Sequence, residues 1–172
     1  MTITNKREIA AFRYDTVTLC LITPDDLLDT LAWRNTYRAW FNDSQSIELS
    51  DHLAWSEKYQ KKDNDFVFIA LNKHQDKVGQ AAVYNINWQE KQGEFGRFLV
   101  NPAFASQRYM KTTCQAMLTL CQRILGLDVL YLEVKPENKK AIHIYQAAGF
   151  IIVKKQCTSN IIMQCNMMDN DL

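Results

Sequence analysis

The most restrictive pattern in the sequence is an apolar stripe at helical spacing over residues 110–125. Its apolar residues recur at intervals of three, four and seven, and Gly126 follows the last of them. This stripe predicts an amphipathic helix that buries one face against another layer of structure and ends at the glycine. Residues 129–134 then alternate apolar and polar side chains, which predicts a strand with one buried face. The chain is therefore expected to build a sheet with this helix packed on it.

Similar patterns predict the other elements. Thr23 and Ser50 are expected to cap the first two helices. A polar turn over residues 72–77 separates two apolar runs and predicts a hairpin. The order β-α-α-β-β-β-α-β-α-β-β predicts an α/β fold with a central mixed sheet. The predicted strands are residues 17–22, 66–71, 78–86, 94–100, 129–134, 150–155 and 160–167, and the predicted helices are 23–41 with a break, 51–61, 110–125 and 136–149.

Composition and charge argue against several classes of protein. The 172 residues, 47% hydrophobic and 23% charged, are typical of one globular domain, taken as residues 1–172. The net charge of +1 gives no electrostatic reason to expect nucleic acid or an anionic membrane as a partner. Residues 1–15 lack the apolar run of a secretory signal, and no stretch approaches the roughly 18 apolar residues of a membrane span. We therefore expect a cytoplasmic protein.

The cysteines favour packing over metal binding. They show no C-x-x-C pair and no metal-type spacing with the three histidines. Cys114 and Cys121 lie seven residues apart on the apolar face of the predicted helix, and the odd, scattered count fits reduced thiols in a core. No metal site is expected. The five cysteines are Cys20, Cys114, Cys121, Cys157 and Cys165.

The most specific motif lies in residues 131–150. The segment reads YLEVKPENKKAIHIYQAAGF, a strand followed by N-x-x-A-x-x-x-Y-x-x-x-G-F. With EFGRFLVNP at residues 94–102, it resembles the GNAT N-acetyltransferase superfamily, over roughly residues 66–152. The resemblance implies a mostly antiparallel mixed sheet flanked by helices, with the fourth and fifth strands splayed apart. It also implies acetyl-CoA as the cofactor and direct attack on its thioester by an amine of a small molecule.

The resemblance carries over residue roles. Backbone amides of Phe98, Leu99 and Val100 match those that polarise the thioester carbonyl. Tyr145 matches the family tyrosine that faces the CoA sulfur, and a phenol with a pKa near 10 can protonate a departing thiolate. Without the motif, Tyr145 would be interpreted as a core tyrosine of an amphipathic helix. Asn138 matches an asparagine that bonds the pantetheine arm, and it suits a helix cap equally well.

The general base stays open among three candidates. Glu94, Glu133 and His52 all carry suitable side chains. Glu133 lies on the strand face opposite Leu132, so it points either into the cleft or to solvent. An amine of modest pKa needs only a water relay, and in that case no single base is required.

The family's pyrophosphate loop is altered in this chain. Its pattern, R/Q-x-x-G-x-G/A, uses glycines so that backbone amides approach the phosphates at the start of a helix. No glycine is present here, and a positive φ at Arg108 would cost on the order of 1–2 kcal/mol. Three outcomes stay open: the amides bind CoA with help from Arg108 and Lys111, a remodelled loop binds it weakly, or the fold serves as a non-catalytic binding module. The residues implied to contact the cofactor here are Gln107, Arg108, Tyr109, Met110 and Lys111.

The N-terminal half suggests the acceptor. W-R-N at residues 33–35 and H-x-x-W at residues 52–55 resemble the branch that acetylates nucleotide-linked amino sugars, as in pseudaminic acid synthesis. The cationic side chains would bind phosphates or hydroxyls, and the tryptophan would form an apolar platform. The same residues also suit ordinary packing and surface positions. A protein or peptide N-terminus is the alternative acceptor, favoured by an open groove, and a homodimer is left open. The implied acceptor-binding residues are Arg34, Asn35, His52 and Trp55.

Overall fold

The computed structural model describes residue 6, residues 9–155 and residues 160–168. Cys157 and the charged residues Arg7 and Glu8 lie outside the described residues. Within those ranges no helix is long and apolar enough to cross a membrane. The strands are β1 (Phe12–Tyr14), β2 (Val17–Leu21), β3 (Phe66–Leu71), β4 (Lys77–Asn87), β5 (Gln92–Val100), β6 (Val129–Val134), β7 (Ile151–Lys155) and β8 (Ile161–Asn166). The helices are α1 (Leu27–Thr36), α2 (Leu49–Gln60), α3 (Tyr109–Arg123) and α4 (Lys139–Ala147).

The described strands form one eight-stranded sheet in the order β1-β2-β3-β4-β5-β6-β8-β7. All neighbouring strands pair antiparallel except β5 and β6, which run parallel. The expectation of a mixed, mostly antiparallel sheet is therefore confirmed. β1 was not predicted, because a strand of three residues carries too little periodicity to be recognised.

Helices cover both faces of the sheet. The larger core joins α3 and α4 to one face, and a smaller core beneath α1 and α2 contains Leu27, Tyr59 and Val67. Cys114 and Cys121 are fully buried in the larger core, as the helical stripe predicts. Ile124 was placed on the same stripe but is 44% exposed, because α3 ends at Arg123 and the chain turns away there.

The helix starts agree only in part with the sequence pattern. The backbone N–H and hydroxyl of Thr23 both donate to the Asp26 carboxylate, at 2.8 and 2.9 Å, and a short 3₁₀ turn leads into α1. The predicted role of Ser50 as a cap is wrong. Helix α2 begins at Leu49, and the His52 N–H donates to the Glu48 carbonyl, so Ser50 already lies in the first turn. Glu48, in an extended conformation, occupies the cap position instead.

The strands β5 and β6 separate soon after they meet. Their registered pairs run only from Gln92–Val129 to Glu94–Tyr131. On its other side β5 carries a bulge, where its register against β4 shifts and Arg97 adopts a φ of 45°. Beyond Glu94 the β6-facing edge of β5 therefore has no strand partner within the described residues. This confirms the splay expected between the fourth and fifth predicted strands, which are β5 and β6 here.

Candidate active site

A cleft of about 860 Å³ opens where β5 and β6 diverge. Residues 94–100 of β5 line it along one side, and the first turn of α3 and the start of α4 line it along another. Residues 37–42, between α1 and α2, close the end next to β6 and β8. The splay thus gathers side chains from every layer of the fold around one opening.

The position of β5 in this cleft is set by close packing. A Cβ on Gly79 would lie 2.5 Å from both the Leu99 carbonyl oxygen and the Met110 Sδ, so β4, β5 and α3 approach closely at this point. Phe98, Leu99 and Val100 line the cleft where the resemblance places them. The contribution of their amides to binding stays a prediction.

Tyr145 lies in the wall of the cleft and is only 7% exposed. Its ring packs edge-on against Phe95, with centroids 5.9 Å apart, and is tilted against Phe98 and Phe150 at 5.6 and 5.8 Å. Burial raises the pKa of the phenol far above its ordinary value of 10. The hydroxyl therefore stays protonated at neutral pH, as a proton donor must. The packing also satisfies the core interpretation of Tyr145.

Glu94 is held in the cleft by two neighbours from β4. The Tyr84 hydroxyl donates to one carboxylate oxygen at 3.1 Å, and the Asn85 amide donates to the other at 3.0 Å. Gly96 makes room for this arrangement, because a Cβ there would collide with the Tyr84 hydroxyl. Burial, followed by the nearby Glu94 carboxylate, raises the pKa of Tyr84, so its hydroxyl remains a donor.

Glu133 lines the cleft on the side of β6 and is exposed. Its carboxylate accepts a hydrogen bond from the Asn160 amide at 3.2 Å, and the same amide donates to Asn42 at 2.8 Å. Nearby, the Lys135 ammonium donates to the Ala39 carbonyl at 2.9 Å. These bonds attach the segment of residues 37–42 to the rim of the sheet, so Glu133 faces the cleft and solvent together.

The start of α3 has the backbone geometry of an anion site without the glycines. Arg108 adopts the left-handed conformation considered for it, with φ 64°, and Ser106 has φ 68°. The first amide of the helix with a backbone acceptor is Lys111, which donates to Arg108 O at 3.1 Å. The N–H groups of Arg108, Tyr109 and Met110 have no backbone acceptor within the described residues.

The predicted cofactor residues divide by their position in this region. Arg108, Tyr109, Met110 and Lys111 line the cleft. Gln107 does not, because its amide turns back to the Ala103 carbonyl at 3.4 Å. Asn138 both lines the cleft and caps α4, accepting from the Ala141 N–H at 3.3 Å. The two interpretations of Asn138 are thus compatible.

Arg34 and Asn35 lie outside the cleft wall and hold the segment that follows α1. Asn35 donates to the Ile47 carbonyl and accepts from the Ile47 N–H, both at 2.9 Å. The Arg34 guanidinium donates to the Asp43 carbonyl and lies 4.1 Å from the centre of the Phe41 ring. The structure thus gives both residues a positioning role, and their role in acceptor binding stays a prediction.

His52 and Trp55 also pack away from the cleft. His52 is 8% exposed, and its Nε2 lies 3.1 Å from the Thr30 hydroxyl. Burial lowers the pKa of His52, which leaves the ring neutral. Trp55 stacks between His52 and Tyr59, with ring centroids 5.2 and 5.3 Å apart. Of the three candidate bases, only Glu94 and Glu133 line the cleft. A role of His52 and Trp55 in acceptor binding stays a prediction.

A comparison of the sequence with protein families identifies the fold family. Residues 16–151 match the family described as "Acetyltransferase (GNAT) domain". The chain belongs to the GNAT acetyltransferase family. The sheet order, the splay and the cleft agree with that assignment.

Two relatives of known name align with about half of the chain. The spermidine N(1)-acetyltransferase of Vibrio cholerae serotype O1 is 28% identical over 84 residues, which cover 49% of this chain and 48% of that protein. The spermidine N(1)-acetyltransferase of Escherichia coli K12 is 30% identical over 77 residues, covering 45% of this chain and 41% of the relative. The chain thus spans about half the length of the curated relatives it matches.

A solved structure shares the fold over most of the chain. The spermidine N-acetyltransferase of Vibrio cholerae in complex with CoA and spermine superposes with a TM-score of 0.79 at 19% identity. The superposition covers 89% of this chain and 96% of that one. At this level of identity the likeness establishes the fold alone.

The start of α3 suits the cofactor implied by the GNAT resemblance. Three backbone amides without a backbone acceptor, at Arg108, Tyr109 and Met110, lie beside the cationic side chains of Arg108 and Lys111. Such amides at the positive end of a helix dipole attract phosphate groups. The residues present therefore fit the pyrophosphate of CoA, although the glycines of the GNAT pattern are missing.

Several residues that line the cleft between β5 and β6 were not identified from the sequence. Tyr37, Trp40 and Asn42 line the end of the cleft. The signal available was a cluster of aromatic residues in a short segment between two helices, which is unusual for a connection. Asn160 carried no recognisable signal, because only the pairing of β8 with β6 brings it beside Glu133.

Proposed function

We propose that this chain is an N-acetyltransferase that transfers the acetyl group of acetyl-CoA to a primary amine of a small molecule. The cleft at the splay carries the proposal. It has a protonated, buried phenol at Tyr145 in one wall and amides without backbone acceptors at the start of α3 in another. A non-catalytic binding module is less well supported, because the three residues whose amides lack a backbone acceptor within the described residues all line the cleft.

Different residues of the cleft would bind the cofactor, polarise the acetyl carbonyl and donate a proton. When bound, acetyl-CoA supplies an activated acetyl thioester. The amides of Arg108 to Met110, with Lys111, would hold the pyrophosphate, and Asn138 would bond the pantetheine arm. The β6-facing amides of residues 98–100 would polarise the acetyl carbonyl. Tyr145 holds a proton on its Oη that the departing sulfur can accept.

We assign the general base to Glu94. An aliphatic ammonium must lose a proton before its nitrogen can attack, and Glu94 lies in the cleft with both oxygens fixed by β4. A fixed carboxylate at the branch point of β5 and β6 can accept that proton directly or through one water. Glu133, at the rim, would attract the cationic acceptor by its charge.

The cleft supports a cationic aliphatic amine, such as a polyamine, as the acceptor. Its far end combines the aromatic rings of Tyr37, Trp40 and Phe41 with the carboxylates of Glu94 and Glu133. Aromatic faces and carboxylates both attract ammonium groups. Two relatives that act on spermidine, by their names, support the same class. A nucleotide-linked amino sugar has less support, because the four residues expected to bind it lie outside the cleft wall.

Binding of the cofactor can be measured directly by calorimetry with CoA. We expect micromolar affinity for the wild type and a roughly tenfold weaker affinity when Arg108→Asn and Lys111→Ala are combined, because each partly exposed charge contributes up to about 1 kcal/mol. The loss should shrink at high salt. Lys73→Ala, which removes an exposed lysine from the turn between β3 and β4, should leave the affinity unchanged. Absence of wild-type binding at millimolar CoA would contradict the proposal and favour the binding module.

The acceptor class can be tested by CoA release with three amines. Spermidine, an amino-sugar nucleotide and a short peptide with a free N-terminus would each be incubated with enzyme and acetyl-CoA. We expect the highest kcat/KM with spermidine, and a several-fold higher spermidine KM in Glu133→Gln because one attractive charge is lost. The CoA affinity of that variant should not change. A preference for the nucleotide sugar or the peptide would overturn the polyamine assignment and leave the transferase assignment intact.

A further inference from the structure

A partly buried ion pair lies on the acceptor side of the cleft, where Arg97 lines the wall and its partner Asp65 is buried. The Arg97 guanidinium donates to both oxygens of Asp65, at 2.6 and 3.1 Å. The Asp65 side chain is 3% exposed and that of Arg97 is 26% exposed. Such two-point pairs fix the guanidinium plane as well as its position.

Arg97 starts from the bulge of β5 and reaches across the sheet. It lies where the register between β4 and β5 shifts, in a left-handed backbone conformation, and its carbonyl accepts from the Gln80 amide at 3.0 Å. Its side chain crosses the Tyr84 residue of β4 to reach Asp65, which directly precedes β3. One side chain thus connects β5 to β4 and to the residue that leads into β3, next to the cleft.

The Arg97 guanidinium also packs against the ring of Tyr84, the residue whose hydroxyl donates to Glu94. Its central carbon lies 4.3 Å from the centre of the Tyr84 ring, within the range of a cation–π contact. The Tyr84 hydroxyl, in turn, lies against Gly96 and donates to Glu94. Asp65, Arg97, Tyr84 and Glu94 therefore form a continuous chain of contacts from the core to the cleft.

The energetics of buried ion pairs argue for a geometric role. The free-energy cost of desolvating two charges is about as large as the gain from their attraction. Apolar side chains of similar volume therefore often stabilise a fold equally well. The strands around Tyr84 already pack on apolar residues such as Val67 and Ala82. What the pair supplies is orientation: it holds a flat cation 4.3 Å from the centre of the Tyr84 ring and 5.5 Å from the centre of the Trp55 ring.

We propose that Arg97, anchored by Asp65, is a positioning residue that fixes the Tyr84 ring and, through it, the Glu94 carboxylate that receives the acceptor's proton. This inference rests on the proposed function. The residue acts on the acceptor half of the cleft, because none of its contacts within the described residues involves the start of α3 or α4.

The test is a double-mutant cycle on Arg97 and Tyr84. Arg97→Met and Tyr84→Phe should each lower kcat/KM for the acceptor by about 10-fold or more, a part of the roughly 10²–10⁴ that a positioned base contributes in full. Together they should lower it little more than the larger single effect, because both break the same chain of contacts. Arg97→Lys keeps the charge and should recover part of the activity, and Asp65→Asn should resemble Arg97→Met. CoA affinity should stay constant throughout.

Asp26→Asn is the matched control. Asp26 is a buried carboxylate that pairs with Lys77 at 2.7 Å, away from the cleft. Loss of its charge should lower the melting temperature without changing the KM for acetyl-CoA or the KM for the acceptor. Three results would overturn the proposal. The effects of the two substitutions on kcat/KM could be additive, Asp26→Asn could lower kcat/KM for the acceptor as much as Asp65→Asn does, or Arg97→Met could lower the affinity for CoA as much as it lowers kcat/KM.

Amide hydrogen exchange separates this inference from the proposed function. In Arg97→Met and Asp65→Asn, exchange over residues 95–100 should accelerate by about tenfold or more relative to the other strands, because the bulge loses its anchor. In Asp26→Asn that segment should exchange as in the wild type. Unchanged exchange over residues 95–100 would contradict the positioning role. Absence of wild-type turnover with every amine, with CoA still bound and local exchange accelerated, would reject only the catalytic assignment.

Discussion

Replacing Tyr145 with phenylalanine is expected to lower kcat for acetyl transfer by about 100-fold or more, the range of a general acid. The ring contacts with Phe95, Phe98 and Phe150 survive the change, so the fold and the CoA affinity should be preserved. Single-turnover and steady-state rates with acetyl-CoA and spermidine would measure the loss. A kcat within twofold of the wild type would show that Tyr145 is only a core tyrosine.

The control for this variant is Tyr14→Phe. Tyr14 lies on the edge strand β1 and packs against the larger core away from the cleft, so loss of its hydroxyl should leave kcat unchanged. The pH profile gives a second check. Burial raises the pKa of Tyr145, an acid that is neutral when protonated, so the phenol keeps its proton well above pH 10. The wild-type kcat should therefore show no decline that depends on Tyr145 between about pH 7 and pH 10, where an ordinary phenol begins to ionise.

Replacing Phe150 with alanine is expected to lower the free energy of unfolding by about 3–5 kcal/mol, the usual cost of deleting a buried aromatic ring. Phe150 is 1% exposed and packs against both Phe95 and Tyr145. The cavity would therefore open directly behind the proposed acid, and kcat should fall together with stability. Urea unfolding at equilibrium would measure the change.

The neighbouring residue provides the control. Ile151 is 65% exposed on β7, so Ile151→Ala should change the free energy of unfolding by less than about 0.5 kcal/mol. A loss of less than 1 kcal/mol in Phe150→Ala would mean that the core around Tyr145 collapses to fill the cavity. In that case the ring of Tyr145 would not depend on Phe150 for its position.

Local sequence patterns predicted most of the secondary structure. The helix α3 agrees with the apolar stripe, and the strands from Phe66 to Val100 agree with the apolar runs, because β3 and most of β4 are buried on both faces. The apolar pattern of α4 predicts an inner face of Ala141, Ile144, Tyr145 and Ala148, and this prediction agrees less well. Tyr145 and Ala148 are buried, Ala141 and Ile144 are only partly buried, and Ile142, which the pattern does not include, is buried. A short helix that contacts both the sheet and α3 buries a broader face than one stripe.

The residues of the candidate site likewise include some that the sequence predicted and some that it did not. Glu94, Tyr145, Asn138 and the start of α3 could be placed from motifs, because each lies at the end of a periodic element and the splay brings those ends together. Their chemical roles and the homodimer stay predictions. The acceptor half could not be placed, since Tyr84, Asn160 and residues 37–42 meet only through sheet pairing and the fixing of an irregular segment.

What the sequence determined by itself was the order of elements, the family and the half of the cleft that would hold the cofactor. Periodicity and a dense local motif are enough for these, because they depend on contacts within a few residues of one another. Tertiary structure alone decided that Arg34, Asn35, His52 and Trp55 have partners away from the cleft, and that Arg97 reaches across β4 to Asp65. Those outcomes depend on which side chains the sheet brings together over long separations, and no local pattern records them.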